Sequence, residues 1–188
     1  MHLLIIGHTA HYEREGQIVG WGPTVKEVCW LAKAFDRVTH LACFHSGPAP
    51  ESALPYATDK VQFVFVPPAG GLTIGAKAQV LSRAPQDVRP IVGCLGSADV
   101  VQVRCPGSLG MYGLLAASPR RGPKWSKYAG NWGQFGRMPV SFRFQRAWLR
   151  SHAFGGPVTV NGQWSGQPAH VYTFDNPSLA LNELAVAR

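Results

Sequence analysis

Four groups of residues in this 188-residue chain have types and spacings suited to chemistry. His8 and His11 follow the apolar run LLIIG at residues 3–7. An imidazole there can act as acid, base or phosphate contact near neutral pH, or be a plain surface group. No third ligand accompanies the pair, so no metal site is expected. Gly16, Gly20 and Gly22 punctuate the stretch GQIVGWGPTVKEVCWLA. Backbone without Cβ can approach a ligand closely; a flexible loop whose glycines serve turns is the alternative. Arg104 closes the apolar segment DVVQVR and is followed by Pro106, Gly107 and Ser108. An Arg between a strand and a helix suits an anion contact, or equally a salt bridge. Arg143, Arg146 and Arg150 recur at i, i+3 and i+7 among Phe144, Trp148 and Leu149. Such a helix can rest on anionic lipid. The favoured reading is that its aromatics pack on the sheet and its arginines stand in water.

Two phosphate motifs are near misses. Gly20-Trp-Gly22 begins like a dinucleotide fingerprint, but Val25 stands at the third glycine and the glycines lie well beyond the first strand. Gly70 and Gly75 have P-loop spacing, but Ala76 replaces the lysine. What remains is a long loop after the first strand, leading to a helix whose N-terminal amides face the crevice at the carboxyl edge of a sheet.

The elements that must position these groups follow from periodicity. Strands are expected at 3–6, 38–44, 61–66, 99–104, 124–129 and 158–161, with residues 130–133 as an exit loop and Asn161-Gly162 as a turn. Helices are expected at 24–35, over parts of 75–96 with interruptions near Pro85 and Pro90, from Ser108 to about Ser118, and at 140–152. Thr24-Val-Lys-Glu27 reads as a capping box. Strands alternating with helices predict an α/β fold, a Rossmann-like parallel sheet with helices on both faces. Residues 1–162 form that domain. Residues 163–188 read as a tail or linker with a short final helix after Asn176-Pro-Ser.

Composition narrows the partners. Hydrophobic residues make up 46% of the chain, enough for a real core. No apolar run approaches the roughly 18 residues that span a bilayer, and no signal peptide is expected at the N-terminus. Cys29, Cys43, Cys94 and Cys105 lack CxxC spacing and sit in apolar surroundings, the pattern of buried free thiols in a cytoplasmic protein. The net charge of +8 is lopsided: residues 100–174 hold nine Lys or Arg and no Asp or Glu. That field favours phosphates or anionic headgroups, if it is more than a solubility charge. KWSKYAGNWGQFGR interleaves bases and aromatics, but no nucleic-acid motif is present, so nucleic acid is not the expected partner.

Taken in order, LLIIGH, GWGPTVKEVCWLAKAFDRVTHL, DVVQVRCPGSLG, KYAGNW, VTVNGQW and DNPSL resemble the N-terminal half of GT-B glycosyltransferases of the family-4-like group. The resemblance implies the acceptor-side domain of a two-domain enzyme, with no metal required. It implies a UDP- or GDP-sugar donor held mainly by a C-terminal domain that this sequence lacks, and an acceptor that is a glycan or lipid-linked. Transferred by position, Gly16, Gly20 and Gly22 with His8 and His11 lie near the donor diphosphate and acceptor. Arg104, Gly107 and Ser108 line the cleft, and no catalytic base is assigned. No cofactor is expected on this domain alone. The same resemblance implies a cell-envelope polysaccharide role, a position at the inner face of the membrane, and self-association through an exposed inter-domain face.

Overall fold

The computed structural model describes residues 1–69, 74–133 and 138–174. The chain runs β1 (His2–Arg14), β2 (Gln17–Trp21), α1 (Gly22–Leu31, with a 3₁₀ turn at Ala32–Ala34), β3 (Arg37–Phe44), β4 (Ala53–Pro55), β5 (Val61–Val66) and α2 (Ile74–Leu95). It continues through β6 (Val100–Cys105), α3 (Ser108–Ala117), β7 (Lys124–Tyr128), α4 (Val140–Arg150), β8 (Val158–Asn161) and β9 (Val171–Phe174). Parallel pairings join β5, β3, β1, β6, β7, β8 and β9 in that spatial order. β1, β2 and β4 pair antiparallel. The fold is the expected mostly parallel α/β sheet with helices on both faces.

Side-chain alternation along each strand separates two cores. Leu4 and Ile6 of β1 join Val101 and Val103 of β6, with Ile91 of α2, Leu114 of α3 and Leu149 of α4 on the same face. Leu3 and Ile5 join Val38 and Val61 on the other face, under Val28 and Ala32 at the end of α1. Both faces of β1 are therefore buried, which is why its first residues read as one continuous apolar run.

The structure departs from expectation in four places. The long loop after residue 7 is a β-hairpin. β1 runs on to Arg14 and turns through Glu15 and Gly16, both at positive φ, into β2. Its alternating side chains and short turn mark it as a hairpin, but the glycines invited a loop reading. The capping box does not form: α1 begins at Gly22-Pro23, its N-cap is Trp21, and no side chain caps it. Pro23 suits a first turn because its missing N–H would be unpaired there anyway. α2 runs unbroken through Pro85 and Pro90. Packing of Ile91, fully buried, against the core accompanies that continuity despite two absent donors. Finally, residues 163–188 are not all tail. Val171–Phe174 is a sheet strand paired with β8. The expected final helix lies outside the described residues.

Candidate functional site

The site arises where β1 changes neighbours. β6 pairs with β1 only as far as Ile6 and Val103. Further along, β2 pairs with His11 to Arg14. Residues 7–10 pair with neither, and the register to β3 shifts between Ile6 and Ala10. β6 meanwhile continues through Arg104 and Cys105. The gap between the diverging strands, at the carboxyl edge of the sheet, is a cavity of about 350 Å³. Clefts of this size at such an edge are the usual ligand position in open α/β sheets. Its walls include His8, Tyr12, Trp21, Thr24, Ser52, Arg104 and Pro106.

His8 stands at the mouth. Its Nδ1 lies 3.3 Å from Ser108 Oγ and 3.5 Å from Cys43 Sγ. Desolvation, and secondarily His45, hold His8 below the ordinary histidine value, with Asp87 opposing. The ring is thus a neutral base at pH 7. Gly107 makes room for it, since a Cβ there would sit 2.9 Å from His8 Cβ. The 106–108 turn is held from below by Gln145 of α4, fully buried, whose Oε1 accepts from the Gly107 N–H at 3.2 Å.

Arg104 forms the floor. Its side chain crosses Gly7, where a Cβ would meet Arg104 Cβ at 3.0 Å. Nη2 donates to Glu27 Oε2 at 2.9 Å, and the same oxygen accepts from Lys127 Nζ at 2.7 Å. All three residues are buried. Burial pushes the Glu27 carboxyl up, but Arg104 and Lys127 together outweigh it and hold it below the usual range. Burial lowers Lys127, with Glu27 opposing. Lys127 Nζ also lies 3.9 Å from the Phe174 ring centroid, a cation–π contact.

The structure therefore brings His8 and Arg104 to one cavity, with Gly107 and Ser108 at its rim. It does not bring the other sequence candidates there. His11 is fully buried behind Gly20, whose Cβ position lies 3.1 Å from the His11 ring. His11 Nδ1 donates to Thr9 O at 3.1 Å, so its Nε2 accepts from Tyr56 OH at 2.8 Å. Tyr56 OH in turn accepts from His40 Nδ1 at 3.2 Å. Burial drives His11 down to about 4 and His40 well below its ordinary value. Gly16 sits at the hairpin tip with open space around it, and Gly22 backs onto Ser52 O and Leu54. Gly16 and Gly20 belong to the hairpin and Gly22 opens α1, and none of them lines the cavity. Arg143 and Arg150 lie on α4 beside Val140, 79% exposed, and Phe144, 42% exposed. Phe144 is thus not packed on the sheet as expected. Arg146 donates to Trp132 O at 3.2 Å.

Sequence reading missed Trp21, Tyr12, Glu27 in its real role, Lys127, Gly7 and Gln145. One signal was present for Lys127: a lysine in a strand that alternates toward a core is out of place unless paired. Trp21, 53% exposed on the cavity wall, carried none. Among the described residues no group of His, Cys, Asp and Glu could hold a metal, and no helix is long and apolar enough to cross a membrane.

No family model matches the sequence, and no curated protein sequence matches it. Among solved structures, Arabidopsis thaliana UGT89C1, solved in complex with UDP, aligns with a TM-score of 0.50 at 14% identity, over 96% of this chain and 49% of its own. The fold is GT-B-like. UDP-GlcNAc 2-epimerase from Methanocaldococcus jannaschii aligns with a TM-score of 0.48 at 14% identity, over 86% of this chain and 40% of its own. This GT-B-like domain spans about half the length of the first and less of the second. At such identities the likeness is one of fold.

Proposed function

We propose that this chain is the acceptor-binding half of a glycosyltransferase that uses a UDP- or GDP-sugar, completed by a donor-binding domain or subunit. The supporting observation is the cavity at the carboxyl edge of the sheet, with a neutral base (His8), an exposed aromatic face (Trp21) and a cation (Arg104) on its walls. The three have complementary uses. Trp21 offers a flat apolar surface to a sugar ring. His8 can take the proton of an acceptor hydroxyl as it becomes nucleophilic, since its depressed pKa leaves it unprotonated. Arg104 can hold an oxyanion. Gly16 lies at the hairpin tip, Gly20 packs on His11 and Gly22 backs onto Ser52 and Leu54, so none of these glycines forms a diphosphate cradle on this half. The donor is therefore assigned to the other half. The alternative reading is a non-catalytic subunit that keeps the fold and docks a donor-binding partner.

Ligand-observed NMR on the chain tests this. Oligosaccharide acceptors are expected to bind, and Trp21→Ala to weaken them by about tenfold. UDP-glucose and GDP-mannose are expected to bind weakly or not at all. Tight one-to-one binding of either sugar nucleotide would overturn the acceptor-side assignment.

A further inference from the structure

Among the described residues the floor of the cavity is electrically unbalanced. Arg104 and Lys127 bring two positive charges, Glu27 one negative, and all three side chains are more than nine-tenths buried. Among the described residues no second carboxylate contacts the group. The hydrogen bonds are incomplete in the same place. Arg104 spends Nη2 on Glu27, with Thr24 Oγ1 at 3.5 Å, while Nη1 is buried with no partner. An unpaired guanidinium N–H out of water is costly, and an unneutralised charge more so. Gln102 Oε1 and His40 Nε2, buried as well, also have no partner. A water molecule can satisfy such atoms, but it supplies no charge. Arg104 is the member of the cluster on the cavity wall.

We propose that the Arg104 end of this cavity is a binding site for one oxyanion of the ligand, a phosphate or a sugar carboxylate. The inference rests on the acceptor-side reading and narrows it: the molecule in the cleft carries a negative group next to the sugar that stacks on Trp21. The neighbouring groups agree. His8 and His40 stay neutral, so they neither compensate nor repel the anion. Gly7 leaves room for the aliphatic stem of Arg104, whose Cβ, Cδ and Cγ would lie 3.0, 3.2 and 3.4 Å from a Cβ there. Glu27 acts as a partial counter-charge that holds Arg104 and Lys127 in place while leaving one positive charge for the ligand. This is a positioning role. Two shared sources exist for the oxyanion, an acidic sugar or the phosphate of a sugar ester or lipid head.

Calorimetric titration separates the outcomes at constant ionic strength. The titrants are pyrophosphate, glucose 1-phosphate, glucuronate and uncharged glucose. At least one of the three anions is expected to bind in preference to chloride. Glucose 1-phosphate against glucuronate then tells a phosphate from a carboxylate. Arg104→Gln leaves Glu27 and Lys127 as a neutral pair and is expected to weaken that anion by about tenfold or more. Glu27→Gln raises the cluster's net charge and frees Nη2. It is expected to tighten the same anion by about tenfold. If Glu27→Gln does not fold, Lys127→Met decides instead. It retains one balanced pair and is expected to weaken the anion several-fold. Anions that bind no better than chloride, or binding indifferent to these substitutions, would overturn the proposal. Retained oligosaccharide binding in that event would leave the acceptor-side reading standing.

Discussion

Two buried polar clusters lie behind the same cleft, and they solve desolvation in opposite ways. His11, Tyr56 and His40 form a neutral chain in which each link has one donor and one acceptor. Phe63 and Phe65 surround it, with ring centroids 5.5 and 5.6 Å from His11. Burial removes the charges, and what remains is hydrogen bonding. Glu27, Arg104 and Lys127 instead keep their charges and balance them incompletely. The first cluster carries no charge to compensate, and its unpartnered atom, His40 Nε2, does not line the cavity. The second keeps an excess positive charge and an unpartnered N–H on Arg104, a residue of the cavity wall. Among buried polar groups, unbalanced charge on a cavity wall, rather than an unpartnered atom alone, separates a candidate site from scaffold.

The largest effect should come from breaking the charged cluster on its negative side. Glu27→Leu leaves two cations buried together and is expected to cost about 3–5 kcal/mol of stability, measured by urea unfolding at pH 7. A loss under 1 kcal/mol would mean that Glu27 compensates little and that the contrast between the clusters is false.

The His11 share of the loss in acid comes next, and it acts through the neutral cluster. His11 and His40 have folded values depressed below the unfolded value near 6.5, so the unfolded chain binds protons that the folded chain refuses. Their stabilisation is whole above pH 6.5 and is lost as pH falls toward 4. The expected slope is about 1.4 kcal/mol per pH unit for each ring, or about 3 kcal/mol for His11 across its window. His8 is depressed as well and adds in the same direction. Glu27, a carboxylate held low, contributes loss only below the ordinary Glu range. His11→Gln should flatten the slope between pH 6.5 and 4.5, read by urea unfolding at stepped pH. An unchanged slope would show that His11 is not held neutral.

The smallest effect on stability belongs to the third cationic group. Arg143 and Arg150 on α4 carry their charge at the surface, beside exposed Val140 and Phe144, while half-buried Arg146 also donates to Trp132 O. Replacing Arg143 and Arg150 with Ala is expected to cost about 0.5 kcal/mol or less per site, and adding Arg146→Ala about 1 kcal/mol more for its hydrogen bond. Co-sedimentation with anionic vesicles gives this face its own test. Loss of sedimentation in the triple variant would support a membrane-resting role. Equal sedimentation of parent and variant would remove it.

The sequence by itself determined the parallel core. Short apolar runs bounded by turn residues placed β3, β5, β6, β7 and β8 within a residue or two, because runs of four to eight apolar residues are strand-length rather than helix-length. It also marked His8 and Arg104, since a polar residue ending an apolar strand is conspicuous. Tertiary structure decided the rest. Glu27 is a helix-cap residue by its neighbours in sequence and an ion-pair partner by its neighbours in space, 77 and 100 positions away. His8 and His11 differ by three positions, yet one reaches the cavity and the other is sealed behind Gly20, because the strand pleat and the bulge at residues 7–10 send them to different surroundings. β4 and β9 are three and four residues long, and their strand state comes from the partner edges that pair with them. Local pattern reports which side chains are buried. Only the assembled sheet reports what they are buried against, and the charge imbalance under the cleft depends on that.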